Sequence, residues 1–231
     1  MGLRLKAELR GVPALQTIQL LGALGTFSYL AARACRASGL VAFRRYAVIA
    51  QPRDSLPVMP AGYRVEEMTA ETLLSHVIDV GAEVQAMRFA EGLSCLAAFD
   101  RKGRLVGLIW LGRVRYDEDE VRVRFLLPDG CCWDTGLWIA PQFRFSRAFA
   151  AIWAGAGAWM ATHGLSHSLS RISDYNVRAQ MSHKRMGAQT LSHHVFVTLG
   201  PWQWSFDTHP RLMRRSETHV PELDLRVMTI S

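Results

Sequence analysis

The sequence predicts an α/β (α+β) chain in which strands and helices alternate behind a basic, apolar helical appendage. Three observations predict this. Short segments of alternating polarity, separated by Gly, Pro and Asp, read as half-buried strands. The 19-residue stretch "FSRAFAAIWAGAGAWMATH" from Phe145 to His163 reads as one long small-residue helix ended by Gly164. The charge is unevenly divided: residues 1–53 carry eight basic side chains against Glu8, and the other 178 residues carry 19 of each sign. The net charge of +7 therefore belongs to one segment, and the body of the chain is neutral.

That partition excludes a nucleic-acid binder, because no recognition motif or interleaved aromatic platform accompanies the charge. Within the basic segment, residues 11–32 ("GVPALQTIQLLGALGTFSYLAA") are free of formal charge. They are long enough to cross a bilayer, yet Gln16, Thr17, Gln19, Thr26 and Ser28 interrupt the apolar run. A helix lying in the headgroup region beside anionic lipid fits these residues better than a span. A helix packed on its own domain is the alternative. A cleaved signal is disfavoured, since Arg33 in "AARAC" falls where a small residue is wanted. Cys35, Cys95, Cys131 and Cys132 show neither disulfide nor zinc spacing, so reduced thiols and no metal are expected. The expected location is cytoplasmic, peripheral or N-terminally anchored at the inner membrane.

The elements follow in order. Breakers in "QPRDSLPVMPAG", residues 51–62, mark a linker. The expected divisions are residues 1–53 as a membrane-associating segment, 54–200 as the main domain, and 201–231 as an irregular tail packed on it or extending it. "YRVEEM" alternates as a strand, and "TAETLLSHVIDVGAEVQAM" continues as one or two helices capped by Thr69. "SCLAAFD", the turn "RKGR" and "LVGLIWLGRVR" form a hairpin. "EVRVRFLLPDG" extends the meander, with arginines on its wet face. "CCWDTGLWIAP" is a mostly buried strand stopped by Pro141. After the long helix come the strand "LSHSLSRIS", the amphipathic helix "NVRAQMSHKRMGA" and the strand "QTLSHHVFVTLG".

Two stretches give this order a family likeness. "LWIAPQFR", residues 137–144, resembles the strand of the GNAT superfamily of acyl-coenzyme A N-acyltransferases that leads into its pyrophosphate loop. "NVRAQMSHKRMGA", residues 176–188, resembles that family's later helix: Asn first, Ala three residues on, a general acid seven on and Gly eleven on. The resemblance covers residues 131–199, more loosely from 62, and implies a mixed, mostly antiparallel sheet flanked by helices. It also implies an acyl-coenzyme A donor, with Asn176 contacting the pantetheine arm and Ala179 permitting close approach. His183 stands where a tyrosine commonly protonates the departing thiolate, and the backbone N–H of Ile139 would face the acyl carbonyl. Asn176, Ala179, His183 and Gly187 fall near one helix face, so one cleft can receive them all.

The loop departs from the family pattern. Arg144, Phe145, Ser146 and Arg147 form the donor loop, and Arg147 and Phe149 stand at its glycine positions. A guanidinium contact from Arg147 can replace an amide contact to phosphate. Shallower phosphate binding, an acyl carrier protein donor, or loss of donor binding are the alternatives. For the base, Asp134 leads, sharing one strand face with Gly136 and Trp138. His167 is second, and Glu91 and Glu120 remain candidates. Phe143, Phe145, Phe149, Trp153 and Trp159 line an acyl channel or simply form core. The membrane-prone segment directs the expectation toward a lipid amine acceptor, as in bacterial lipid N-acyltransferases that acylate a sphingoid base to ceramide. A soluble GNAT acting on a small amine, and a non-catalytic GNAT-like membrane module, are the competing readings.

Overall fold

The structure, a computed structural model, describes residues 14–118, 120–206, 211–214, 220–228 and 230; of residues 14–21, 36, 38, 211 and 214 only the backbone is described. In chain order the elements are α1 (Ala14–Ser38), β1 (Val41–Pro52), β2 (Tyr63–Met68), α2 (Ala70–Leu74), α3 (Ala82–Ala90), β3 (Ser94–Asp100), β4 (Leu105–Arg113), β5 (Arg115–Asp117), β6 (Arg124–Leu126) and β7 (Cys131–Ile139). They continue with α4 (Ala148–Thr162), β8 (His167–Ser173), α5 (Val177–Arg185), β9 (Gln189–Leu199), β10 (Trp202–Phe206), β11 (Arg211–Arg214) and β12 (Glu222–Asp224). The chain is a mixed α/β protein with mostly antiparallel strand pairing flanked by helices. Its contacts divide it into two compact units: Met1–Ile49, Glu118–Val123 and Arg171–Pro221 form the first, and Ala50–Asp117, Arg124–Ser170 and Glu222–Ser231 the second.

In the second unit β2, β3, β4 and β7 pair antiparallel in that order, and β8 joins β7 in parallel, Cys131 facing His167. Cross-strand partners share a face, so register assigns every side chain to one of two sides. Phe89 of α3 packs edge-on against Trp110 with centroids 4.9 Å apart, which puts α2 and α3 over the Trp110 face. The opposite face carries α4: a Cβ on Gly155 would meet Val65 at 2.5 Å, and one on Gly107 would meet Ile152 at 2.7 Å. The alanines and glycines of α4 thus let its backbone approach the sheet, and its tryptophans Trp153 and Trp159 are core. A smaller sheet, β12-β6-β5, holds Phe125 and Tyr116, which both stack on Trp133, at 4.7 and 5.0 Å.

In the first unit β9, β10 and β11 form antiparallel pairs. The excursion 118–123 is bound there by Gln203, which is fully buried: its Oε1 accepts from Arg122 N at 2.9 Å and its Nε2 donates to Arg122 O at 3.0 Å. Arg171 pairs with Glu118 and Glu120 and lies 4.4 Å from the Tyr46 ring, while Tyr46 donates to Glu120 at 2.9 Å. Burial pushes the Tyr46 hydroxyl well above its usual range, so it stays a donor.

Several sequence expectations change here. Residues 41–52, placed in the appendage and the start of a linker, form the long strand β1, whose inner half is buried. The "EVRVRF" meander shortens to β6, because Arg122 is clamped by Gln203 and Arg124 is held by Asp117 at 2.6 Å rather than facing water. The tail judged irregular supplies β10, β11 and β12. Helix α1 breaks at Gly22, whose φ of 67° lies outside the helical region. Among the described residues no helix is long and apolar enough to cross a membrane. Residues 1–13 of the appendage lie outside the described residues.

The α4 packing yields a paired prediction. Gly155→Ala should cost about 1–3 kcal/mol in denaturant unfolding because Val65 has no room to yield. Gly157→Ala, whose nearest neighbour is Leu56 at 3.2 Å, should be neutral or stabilising by up to about 1 kcal/mol through helix propensity.

Candidate functional site

The site in the second unit is built on an irregularity of β7. Asp134 pairs with Leu111 and Thr135 with Trp110, but Trp138 pairs with Leu108, so two β7 residues, Gly136 and Leu137, oppose Ile109 alone. This is a β-bulge, and Gly136 sits in it with a φ of 58°, a conformation that disfavours any side chain. The extra residue reverses the alternation. Leu111 and Leu108 lie on opposite faces of β4, so Asp134 and Trp138 lie on opposite faces of β7. The expectation that Asp134, Gly136 and Trp138 share a face is therefore corrected. Trp138 looks to the α2–α3 side and Asp134 to the α4 side.

On the α2–α3 side a cavity of about 480 Å³ opens at the end of β7. Its walls are residues 76–79 of the loop between α2 and α3, Leu105, Trp138, and the Ala140–Gln142 turn after the strand. His76 and Asp79 bring titratable groups to this wall, and the sequence reading missed both. The signal was the pair "HVID" at a helix break, which can turn polar side chains toward a cleft. His76 also packs against Phe99 with ring centroids 5.8 Å apart.

Asp134 is buried on the other face and accepts from Ser168 Oγ at 2.7 Å. Burial pushes its pKa to about 7, with Ser168 and, at less favourable geometry, Ser170 pulling it back. His167 pairs with Cys131, one residue out of phase with Ser168, so it points away from Asp134. Its Nδ1 lies 3.0 Å from Ser166 Oγ, and burial lowers its pKa. Glu91 ends α3 as an exposed C-cap. Burial pushes the Cys95 and Cys132 thiols up to about 12 and Cys131 to about 11, which makes poor nucleophiles of all three. No cluster of His, Cys, Asp or Glu among the described residues could hold a metal ion.

The loop beyond Ile139 tightens into a 3-10 turn at Pro141–Phe143 and keeps several of its amides for itself. Phe143 N donates to Ala140 O at 2.8 Å, Ser146 N to Phe143 O at 3.0 Å, and Ala148 N to Ser146 Oγ at 3.1 Å. Arg144, Phe145, Ser146 and Arg147 are all exposed. The loop thus offers two mobile-length guanidinium groups and a helix start, in place of a bare glycine cradle. Phe149 is half-buried, its ring centroid 6.4 Å from that of Trp153.

The helix motif lies in the first unit. Asn176 caps α5, its Oδ1 accepting from Ala179 N at 3.1 Å. Ala179 packs on Ala47, Ile49 and Ile172, and His183 is buried one turn further on. The shared face read from the spacing is thus a packing face. Burial lowers the His183 pKa to about 4, so its ring is neutral at pH 7, against the imidazolium expected from the sequence. Glu120 is committed to Tyr46, Arg44 and Arg171, at 2.9, 3.3 and 3.4 Å.

No known family's sequence profile matches the chain, and no curated protein matches it in sequence. Solved structures do resemble it. A conserved protein of unknown function from Staphylococcus epidermidis has a TM-score of 0.50 at 10% identity, covering 71% of this chain and 64% of its own. The GCN5-related N-acetyltransferase from Sphaerobacter thermophilus has a TM-score of 0.46 at 16% identity, covering 86% and 59%. AAC(6')-Iy, solved with a CoA-containing bisubstrate analog, has a TM-score of 0.42 at 17% identity, covering 55% and 90%. The chain spans 57–64% of the length of the first three solved structures it matches. At these identities the likeness is one of fold.

Asp134 and His183 act on stability with opposite sign. Asp134, raised from 3.8 to about 7, holds in the folded chain a proton that the unfolded chain releases, so its contribution falls as pH rises through that window. His183, lowered from 6.5 to about 4, contributes stability that is lost as pH falls through its window. Relative to the unsubstituted chain, His183→Gln should remove a stability gain of about 3 kcal/mol between pH 4 and 6.5, and Asp134→Asn should remove a loss of about 4 kcal/mol between pH 4 and 7, read by urea unfolding at each pH.

Proposed function

We propose that the chain transfers an acyl group from a coenzyme A thioester to a primary amine. The observation that carries this reading is the bulged strand β7, which ends in a Pro-led turn at the mouth of a cavity walled by the α2–α3 loop. N-acyl transfer needs a deprotonated amine, an N–H donor for the tetrahedral oxyanion, and a proton for the leaving thiolate. The cavity receives the amine, and His76 on its wall accepts the proton. Asp134 supports the strand from the far face. The backbone N–H of Ile139 faces the acyl carbonyl, and Arg144 and Arg147 meet the diphosphate. The departing thiolate takes its proton from the solvent.

The acceptor is a long-chain amine taken at a membrane surface. Leu24, Phe27 and Leu30 recur every three residues along α1 and are 68%, 67% and 55% exposed, and residues 1–53, which include α1, carry eight basic residues and one acid. Acyl carrier protein is the alternative donor, and a small soluble amine the alternative acceptor.

Thiol release measured across donor chain lengths, with and without a long-chain amine, tests the reading. His76→Ala should lower kcat about 100-fold or more at pH 7 while donor binding changes little. Absence of thiol release with every donor and amine, together with no equilibrium binding of acyl-coenzyme A, would sink it. Replacing Leu24, Phe27 and Leu30 together by Gln should abolish sedimentation with anionic vesicles and leave turnover of a short soluble amine intact. Unchanged sedimentation would remove the lipid acceptor from the proposal.

A further inference from the structure

Alternation along β9 and β10 in the first unit sends one set of side chains inward and the other outward. Phe196, Thr198 and Gln203 belong to the inner set and are buried, and Gln203 clamps the 118–123 excursion on that side. The outer set follows from register. Phe206 pairs with Val195, Trp204 with Val197 and Leu212, and Trp202 with Leu199 and Arg214. Cross-strand partners share a face, so these eight positions lie on one side of three strands, and all but Arg214 are apolar. That side stays open to water. Leu212, Phe206, Trp202 and Leu199 are 55%, 45%, 44% and 42% exposed, and Val195, Val197 and Trp204 are half-buried.

A contiguous apolar face of this kind on a protein surface marks a contact with something else. Charge says what covers it. The first unit holds 15 Lys and Arg against 7 Asp and Glu, whereas the second holds 12 against 13. The unit that carries the open face therefore attracts an anionic surface and repels a second copy of itself. The area argues the same way: four half-exposed side chains offer about 400 Å², half of the roughly 800 Å² that a stable dimer buries on each copy. Val195, Val197, Leu199 and Leu212 suit acyl chains and give nucleic-acid bases no ring to stack on. Trp202, an apolar ring with one N–H, suits the headgroup level of a bilayer. We propose that the outer face of β9–β11 is a membrane-contacting surface, on which Leu199, Trp202, Phe206 and Leu212 enter the interface of an anionic bilayer. The inference builds on the membrane location in the proposed function, uses residues other than those of α1, and needs no acyl transfer. One apolar element holds a protein to lipid weakly, and two on the same chain reinforce each other.

Sedimentation of the full chain with vesicles of phosphatidylcholine, with and without phosphatidylserine, tests the surface. The unsubstituted chain should partition onto the phosphatidylserine vesicles about tenfold or more above the neutral ones. Trp202→Gln combined with Phe206→Gln should lower that partition about tenfold or more at unchanged Tm. Leu199→Gln combined with Leu212→Gln should lower it in the same direction and serves if the first pair does not fold. Phosphatidylserine vesicles brominated on the acyl chains should quench tryptophan emission, and Trp202→Phe, which keeps a ring on the face, should lose most of that quenching while still sedimenting. Undiminished partition in both pairs, equal partition onto neutral vesicles, or quenching undiminished by Trp202→Phe overturns the proposal. A lipid-free dimer that dissociates in the first pair, with no partition onto vesicles, makes a second copy the occupant and likewise overturns it. If the chain with Leu24, Phe27 and Leu30 replaced by Gln sediments like the unsubstituted chain while the Trp202 and Phe206 pair does not, the sheet face stands and the α1 reading fails.

Discussion

One surplus residue in β7 decides more about the second unit than any other feature. With Gly136 and Leu137 set against Ile109, the strand changes phase halfway along. Before the bulge it sends Asp134 under α4; after it, Trp138 turns to the cavity. Only glycine accepts the left-handed geometry with the Arg88 guanidinium lying against it. The close approach of α4 to β2 and β4 through Gly155 and Gly107 then holds the far face of the sheet, so the bulge is braced from both sides.

The first unit relies on a different device. The excursion 118–123 buries Val121 and Val123, and polar bonds fix it further. Gln203 holds the Arg122 backbone at both its N–H and its C=O, and Arg171 ties Glu118 and Glu120 to Tyr46. Partly buried ion pairs of this kind add little net stability, since desolvation offsets most of the attraction. They do penalise alternatives, because a shifted strand would leave several buried charges unmatched. Asp174 adds to the pattern by pairing with Arg45 across from β8, its carboxyl nevertheless raised because burial outweighs the arginine.

Chemically, the site separates its polar groups by environment. His76 and Asp79 stand at a cavity wall, whereas Asp134 and His183 are enclosed and held toward their neutral forms. A buried acid near pH 7 and a buried neutral imidazole look like catalytic groups when only their pKa directions are considered. Burial is the first cause of both shifts, so the signature arises without any catalytic role. The wall residues therefore carry the proton transfer in the proposed reaction.

Most strands and helices of the central region were legible in the sequence, because local periodicity and punctuation specify them. Thr69 caps α2, Pro141 stops β7 and Gly164 ends α4, each through its own backbone preference. The helix cap at Asn176 and the inward face of Ala179 and His183 also follow from spacing. Tertiary structure alone decided the rest. Strand β1 and the tail strands have weak local signals and become strands by pairing with others. The phase of β7 depends on register against β4, which no single segment encodes. His76 and Arg88 take their significance from residues distant in the chain, Trp138 and Gly136, and sequence spacing cannot express a proximity that only folding creates.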